Sequence, residues 1–214
     1  MSVITKIEDQ KNKKRVNIFV DDAFFCGLLK ETAVIFKLKV GKEIDETVLK
    51  EAVFSSEVKS AFDKASDYLG SRMHTKKELF NKLLKKGYEK DVIEQAIGKL
   101  EEYHYVDDGL FAKQFTSSNS KLSKRMIENK LREKGVSNEN IDSVSNMRSD
   151  EDEFELCLMQ AKKYVSSKDM TKENAYQKLY ASLARKGFSF ETIKKACKQL
   201  SADNDDFESY DLNP

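Results

Sequence analysis

The residues of this sequence whose types and spacing suggest a chemistry are positively charged. The stretch 121–134 holds only two acids among a dense group of cations. Those cations are Lys121, Lys124, Arg125, Lys130, Arg132 and Lys134. On a helix, Lys121 and Arg125 lie on one side, and Arg132 lies two turns from Arg125. Such a group can contact phosphates or an acidic protein surface, although the pattern also fits the solvated face of an amphipathic helix.

A second group of cations precedes this one in the chain. It contains Arg72, Lys76, Lys77, Lys82, Lys85 and Lys86. If the helical segments stack with a steady rotation, the two groups would line one curved face. Lys86, Lys134 and Lys186 are weaker candidates, because a lysine near the end of a helix is also explained by the negative end of the helix dipole.

The sequence offers no arrangement that is typical of catalysis. It has no glycine-rich phosphate loop and no serine or cysteine with a base nearby in sequence, and its paired carboxylates fall at predicted caps and turns. The three cysteines are far apart and the two histidines are remote from them, so we expect no metal site. We therefore predict a binding protein that is not an enzyme and uses no cofactor. Its cysteines are expected to be small buried residues in a reducing cytosol.

A phrase that occurs three times organises the elements around these cations. It reads Leu-Leu-Lys-Lys-Gly at 83–87, Leu-Arg-Glu-Lys-Gly at 131–135 and Leu-Ala-Arg-Lys-Gly at 183–187. Each phrase is predicted to end a helix at its glycine, and an apolar residue follows at once. A repeat spacing of this size indicates one supersecondary unit that is used three times.

Capping residues set the predicted helix boundaries. The predicted starts are Thr75, Asp107 or Asp108, Ser137 and Ser189, and the predicted ends are Gly87, Gly135 and Gly187. In the third unit the middle helix is expected to begin a turn earlier, at Thr171. With an apolar leading helix in each unit, the sequence predicts three-helix repeats. A β-branched residue at any of the three glycines is expected to destabilise its repeat alike.

Residues 1–28 have the different pattern of a small β-structure. Val16, Ile18 and Val20 alternate with Arg15, Asn17 and Phe19, and turns are predicted at 11–14 and 21–22. An antiparallel meander results, which should pack against a helix, for example the one capped by Asp45. The four cations at 11–15 either contact phosphates or belong to an ordinary exposed hairpin turn.

The predicted fold is mainly α, with three tandem three-helix repeats in an elongated, curved array after a small β-hairpin or meander and a helix. We place the N-terminal module at 1–58, the repeats at 59–108, 109–148 and 149–200, and an acidic disordered tail at 201–214. The short junction at 107–108 predicts a firm pair of the first two repeats. Four consecutive acids at 150–153 indicate either a looser hinge before the third repeat or the first turn of a helix.

This combination resembles the RecX family of recombinase regulators. The residues that carry the resemblance are Thr75-x-x-Glu78-Leu79-x-x-Lys82-Leu83-x-x-Lys86-Gly87, Tyr105-Val106-Asp107-Asp108-x-x-Phe111-Ala112 and Arg125-x-Ile127-x-x-Lys130-Leu131-x-x-Lys134-Gly135-Val136-Ser137. The segments 4–8 and 15–18 are also similar to the N-terminal extension of members from low-GC Gram-positive bacteria. The similarity covers most of the chain; it is weakest in the third repeat and absent from the tail.

The resemblance implies a regulator that binds within the groove of the RecA–DNA filament. It implies suppression of the ATPase and strand-exchange activities of RecA, limits on filament growth, and weak to moderate binding to single- or double-stranded DNA. We expect a cytoplasmic monomer without a membrane partner. The alternative is a sequence-tolerant DNA-binding helical protein that acts without a recombinase.

Overall fold

The structure is a computed structural model of the chain, and it describes residues 2–168 and 174–202. The chain divides into two compact units, of which the first ends at Asp107 and the second begins at Asp108. The expected cap at Thr171 and the acidic stretch from residue 203 onward lie outside the described residues. The elongated, curved arrangement of the repeats stays a prediction.

An antiparallel sheet opens the first unit. Its strands are β1 (Ser2–Asp9), β2 (Arg15–Val20), β3 (Ala23–Leu29) and β4 (Glu43–Ile44), in the spatial order β3-β2-β1-β4, and the short helix α1 (Lys30–Ile35) follows β3. Alternation puts Val16, Ile18 and Val20 of β2 on the buried face. The turn into β3 has positive φ at both Asp21 and Asp22, the backbone of the tight hairpin turn whose twist matches its strands. The predicted meander is confirmed, with β4 as a fourth strand.

A helix of 24 residues joins the sheet to the first repeat. This helix, α2 (Glu46–Leu69), begins after the predicted cap Asp45. Leu49 in its first half belongs to the apolar core under the sheet. Val58 and Ala65 in its second half belong to the core of the first repeat. The boundary that we placed after residue 58 therefore lies inside a continuous helix.

Each repeat consists of three helices, as the sequence predicts. The first repeat uses the second half of α2 with α3 (Lys76–Leu84) and α4 (Lys90–Glu102). The second contains α5 (Asp108–Ser118), α6 (Lys124–Glu133) and α7 (Asn138–Ser145), and the third contains α8 (Asp150–Ser166), α9 (Ala175–Arg185) and α10 (Phe190–Ala202). Apolar residues at helical spacing fill the cores, among them Leu79, Leu83 and Ile93 in the first repeat.

Hydroxyl groups cap the starts of several of these helices. Thr75, Ser137 and Ser189 each accept a hydrogen bond from the backbone N–H three residues later, at 3.1, 3.3 and 3.1 Å. Ser123 caps α6 in the same way. Asp107 immediately precedes α5. These bonds satisfy backbone donors that have no acceptor within the helix.

The three glycine turns share one backbone geometry. Gly87, Gly135 and Gly187 have φ of 90°, 83° and 90°, in the left-handed region. In each turn the glycine N–H binds the carbonyl three residues earlier, and the next N–H binds the carbonyl five residues earlier. This pattern is the Schellman motif, which satisfies the last carbonyls of a helix.

The four consecutive acids form the first turn of α8. Ser149 and Asp152 bind each other's backbone N–H groups in a capping box. Just before this turn, Arg148 donates hydrogen bonds to the backbone carbonyls of Ser120 and Leu122 in the second repeat. Of the two alternatives for this link, the structure shows the first turn of a helix, with a capped start that is hydrogen-bonded to the second repeat.

Candidate partner and nucleic-acid interface

Two of the candidate cations in the first repeat are held by acids of the same repeat. Arg72 lies 3.0 Å from the Glu78 carboxylate, and Lys76 lies 2.9 Å from the carboxylate of Glu101. The Nδ1 atom of buried His74 also lies 2.9 Å from the Glu78 carboxylate. Burial lowers the pKa of His74 in spite of this carboxylate, so the ring is neutral at pH 7. The charges of Arg72 and Lys76 are thus partly neutralised within the repeat.

The other candidate cations of α3 and the turn after it point outward to differing degrees. The ammonium group of Lys82 lies 4.4 Å from the centre of the Tyr68 ring, a cation–π contact that holds the lysine at the surface. Lys77, Lys85 and Lys86 are exposed. Lys77 is therefore the member of the predicted site in this repeat whose charge is most accessible to a partner.

The second repeat presents its cations along α6 and the turn before it. The exposed ones are Lys121, Arg125 and Arg132, and the half-buried ones are Lys124 and Lys130. Arg132 lies 3.8 Å from the half-buried Glu128 carboxylate, a separation that leaves the ion pair weak. Ile127 and Leu131 are buried on the opposite side of the helix. The amphipathic arrangement predicted for this helix therefore leaves its arginines toward solvent.

Lys134, at the end of α6, is engaged within the second repeat. Its ammonium group lies 5.6 Å from the centre of the Phe111 ring and 5.9 Å from that of Phe115, both on α5. The two rings are stacked, with centres 6.0 Å apart. Lys134 thus connects two helices of the repeat.

The two groups of cations belong to different compact units. Within its unit, the first group lies on α3 and the residues that flank it, and the second lies on α6 and the residues that flank it. Their alignment along one shared face stays a prediction.

Sequence reasoning gave no role to Arg148, although it binds two backbone carbonyls and a carboxylate of the second unit. Its side chain is 15% exposed and lies 3.3 Å from the Glu153 carboxylate, which is 14% exposed. That carboxylate also accepts the backbone N–H of Lys124 at 3.1 Å. The carbonyls that Arg148 binds belong to residues 26 and 28 positions earlier in the chain, and no local pattern reveals such a contact.

The cysteines are poorly suited to covalent chemistry. Burial raises the pKa of Cys157 to about 12 and that of Cys26 to about 11, and it also raises the pKa of Cys197. Such thiols are protonated at neutral pH and are weak nucleophiles. Within residues 2–168 and 174–202, no group of three or more His, Cys, Asp or Glu residues could hold a metal ion. No helix in these ranges has the length and apolar character needed to cross a bilayer.

Four family models match the chain in succession. The N-terminal domain of regulatory protein RecX matches residues 2–45. The first, second and third three-helix domains of RecX match residues 61–100, 107–144 and 150–197. Each repeat that the glycine phrase marks thus corresponds to one family domain.

Relatives that extend over nearly the whole chain agree with these matches. The chain is 35% identical over 211 residues to the regulatory protein RecX of Bacillus licheniformis. The alignment covers 96% of this chain and 80% of the relative. It is 35% identical over 217 residues to the regulatory protein RecX of Clostridioides difficile. This alignment covers 99% of this chain and all of the relative.

Two crystal structures share the fold. One, of regulatory protein RecX, has a TM-score of 0.70 at 24% identity. The superposition covers 92% of this chain and 100% of the chain in that crystal structure. The other, of RecX from Lactobacillus salivarius, has a TM-score of 0.61 at 22% identity. The superposition covers 69% of this chain and 99% of the chain in that crystal structure. The family models, the relatives and the order of the domains lead to one conclusion: the chain belongs to the RecX family of regulatory proteins.

Proposed function

We propose that this protein binds the RecA–DNA filament and modulates it, mainly by inhibiting the ATPase and strand-exchange activities of RecA. The observation that supports this proposal is membership of the RecX family along nearly the whole chain. The exposed cations of α6 add a physical reason, because a groove that contains DNA phosphates is negatively charged and attracts them. The protein acts in the cytoplasm as a monomer, by binding rather than by catalysis.

Within this function, the exposed cations of the second repeat are the principal contacts. Lys121, Arg125 and Arg132 carry charges that solvent, and therefore a partner, can reach. Cations already engaged inside the protein contribute less, since moving them to a new partner sacrifices an existing contact. Lys77 of the first repeat is exposed in the same way and contributes likewise, and the secondary contacts are Arg72, Lys76, Lys82, Lys124 and Lys130.

Charge reversal tests this assignment. Lys121→Glu, Arg125→Glu and Arg132→Glu in one variant should weaken inhibition of the DNA-dependent ATPase of RecA at least tenfold, because attraction to phosphates becomes repulsion. The helix content measured by circular dichroism should stay unchanged, since all three side chains lie at the surface. ATP hydrolysis on DNA saturated with RecA is the measurement.

Two variants serve as controls. Lys194→Glu, Lys195→Glu and Lys198→Glu change the charge by the same amount on exposed residues of the third repeat. Lys13→Glu and Lys14→Glu alter exposed cations outside the repeats. Both should inhibit like the wild type. If the α6 variant inhibits normally and one of the controls does not, the working surface lies elsewhere.

Cosedimentation distinguishes a filament regulator from a protein that binds DNA alone. The protein should sediment with RecA filaments at moderate salt, at concentrations where naked DNA at the same salt retains little of it. Contact with phosphates alone should weaken steeply as salt rises. Equal loss of binding to filaments and to naked DNA would favour the sequence-tolerant DNA-binding protein.

A further inference from the structure

The outer face of the N-terminal sheet carries two phenylalanine rings that belong to no core. Strand pairing places Phe19 of β2 opposite Phe24 of β3, and the ring centres are 5.8 Å apart at an interplanar angle of 77°. The inner face of β2 consists of Val16, Ile18 and Val20, so Phe19 lies on the other face. Phe24 is 59% exposed. With Phe24 largely open to water and Phe19 half-buried beside it, this aromatic pair on the outer face of the sheet is a candidate binding surface.

Polar groups continue from the rings along the same face. The next pair of residues across β2 and β3 is Asn17 and Gly27. The side-chain amide of Gln10 donates to Asn17 Oδ1 at 2.7 Å, and it occupies the space above Gly27, where an added Cβ would collide with the amide nitrogen. One pair further along, Arg15 donates to the Gly27 carbonyl at 3.0 Å. Side-chain amides supply both donors and acceptors, as the edges of nucleic-acid bases require.

The turn between β1 and β2 adds accessible positive charge beside these amides. Lys11, Lys13 and Lys14 are exposed. None of the three has an ion-pair partner in the part of the chain that the structure describes, whereas Lys30 lies 2.7 Å from the Asp9 carboxylate. The turn therefore holds three cations that can neutralise phosphates without first leaving an acid.

Beside the rings, one acid of the outer face is neutralised, whereas Asp21 and Asp22 in the turn between β2 and β3 are exposed. The Glu8 carboxylate lies 2.5 Å from the ammonium group of Lys6. Lys6 stands opposite Phe19 in the pairing of β1 with β2, and its ammonium group lies 5.5 Å from the centre of that ring. The aromatic end of the face thus presents the rings, this ion pair and the two acids of the β2–β3 turn, so phosphates are attracted to the other end of β2, where the lysines of the β1–β2 turn lie.

We propose that this outer face binds single-stranded nucleic acid. An unpaired base stacks on Phe24, whose ring is held by the edge-to-face contact with Phe19. Base edges contact the amides of Gln10 and Asn17, and the backbone phosphates lie along the lysines of the turn. Strand geometry puts about 13 Å between Phe19 and Arg15, which is room for a short run of nucleotides. A duplex keeps its bases stacked on one another and offers this face only phosphates, so the aromatic pair favours a single strand. The site needs no recombinase and goes beyond the proposed regulation of RecA.

Tryptophan fluorescence tests the stacking directly. The sequence contains no tryptophan, so Phe24→Trp places a single reporter on this face. Its emission should be quenched when oligo(dT) is added, because a base stacks on the indole. Val34→Trp is the matched control, since Val34 is 76% exposed in the same module but lies on α1, outside the sheet. Its emission should change little.

Affinity measurements separate bases from phosphates. By fluorescence anisotropy with labelled oligo(dT), Phe24→Ala should bind about 5- to 100-fold more weakly at an unchanged salt slope, and Phe24→Tyr should restore binding. A strand of abasic residues should bind equally to the wild type and to Phe24→Ala. Lys13→Glu with Lys14→Glu should reduce the slope of log affinity against log salt by about 1.4, at about 0.7 per phosphate.

Two results would overturn the proposal. One is a Phe24→Ala variant with native circular dichroism and wild-type affinity for oligo(dT). The other is loss of oligo(dT) binding in the α6 charge-reversal variant while Phe24→Ala retains it, which would place the strand on the second repeat. Because the assay contains no RecA, its outcome is independent of whether the protein inhibits the filament.

Discussion

The turns at Gly87 and Gly187 have the same backbone and different neighbours. Both glycines have φ of 90°, and both turns make the same two backbone hydrogen bonds. A Cβ added at Gly87 would meet nothing within 4 Å. A Cβ added at Gly187 would lie 2.5 Å from Ser123 Oγ and 3.3 Å from the backbone nitrogen of Met126, both in the second repeat. The first turn only ends a helix, whereas the second also packs against a neighbour.

One hydroxyl group makes the difference between the two turns. Ser123 Oγ accepts the N–H of Met126 as the cap of α6, and it donates to the Lys186 carbonyl at 2.5 Å. The side-chain amide of Gln160 on α8 adds a bond to the Lys121 carbonyl at 2.8 Å. A capping motif with an unchanged backbone can thus also serve as a surface on which a neighbouring helix docks.

Removal of Arg148, which holds the start of α8 against the second repeat, should have the largest effect on stability. Arg148→Met should lower the free energy of unfolding of the second unit by about 3 kcal/mol, because it leaves two carbonyls and the half-buried Glu153 carboxylate without their cation. Hydrogen exchange should accelerate in α6 to α8 and stay unchanged in α3 and α4. Arg125→Met, at an exposed arginine of the same repeat, is the control and should change stability by less than about 0.5 kcal/mol.

Alanine at the two glycines should separate capping from docking. Gly87→Ala should cost about 1 kcal/mol, the strain of a side chain in the left-handed conformation. Gly187→Ala should cost about 2 kcal/mol, since the new methyl group must also displace Ser123 or the start of α6. Urea denaturation of each variant measures the difference. Equal losses would restore the expectation from sequence that the three glycines respond alike.

A double-mutant cycle sharpens the same point. In a Ser123→Ala background, Gly187→Ala should cost about 0.5–1 kcal/mol less than in the wild type, because the atom that the methyl group meets is gone. Thr75→Ala, at the corresponding cap in the first repeat, should be additive with Gly187→Ala. Coupling in both cycles would mean that the effect at Gly187 does not pass through Ser123.

Mild acid should produce the smallest effect, confined to the first unit. Burial lowers the pKa of His74 below its value in the unfolded chain, with Arg72 and Lys82 adding to the effect and Glu78 opposing it. The unfolded state therefore binds more protons, so the stabilising contribution is complete above about pH 6.5 and is lost as the pH falls below that value. The third repeat contains no histidine. Hydrogen exchange should show that α3 is less stable at pH 5.5 than at pH 7.5. In the His74→Phe variant, the stability of α3 should no longer depend on pH in this range.

The features that sequence predicts well in this protein are local. The conformation at Gly87, the cap at Thr75 and the alternation of β2 each follow from a few neighbouring residues, and each is present. The number and order of the repeats follow from repetition of such local patterns.

Sequence reasoning fails where the partner is distant. The bond from Ser123 to Lys186 joins residues 63 positions apart, and the bond from Arg148 to Leu122 joins residues 26 apart. The outer-face pair Phe19 and Phe24 was missed for a related reason, since its geometry depends on strand register and on the bulge beside it. The exposure of the cations on α6 could be predicted from the sequence, whereas the ion pairs of Arg72 and Lys76 with acids of the first repeat could not.

The continuity of α2 fixes an angle as well as a distance. Ser56 accepts the backbone N–H of Leu29 from β3 at 2.7 Å, and two residues later Val58 enters the core of the first repeat. Two residues correspond to about 200° around a helix, so the sheet and the repeat lie on nearly opposite sides of the same turn. The number of residues in this stretch thus determines the rotation of the sheet relative to the first repeat about the axis of α2. A single insertion or deletion there would rotate the proposed strand-binding face by about 100° relative to the cations of α3.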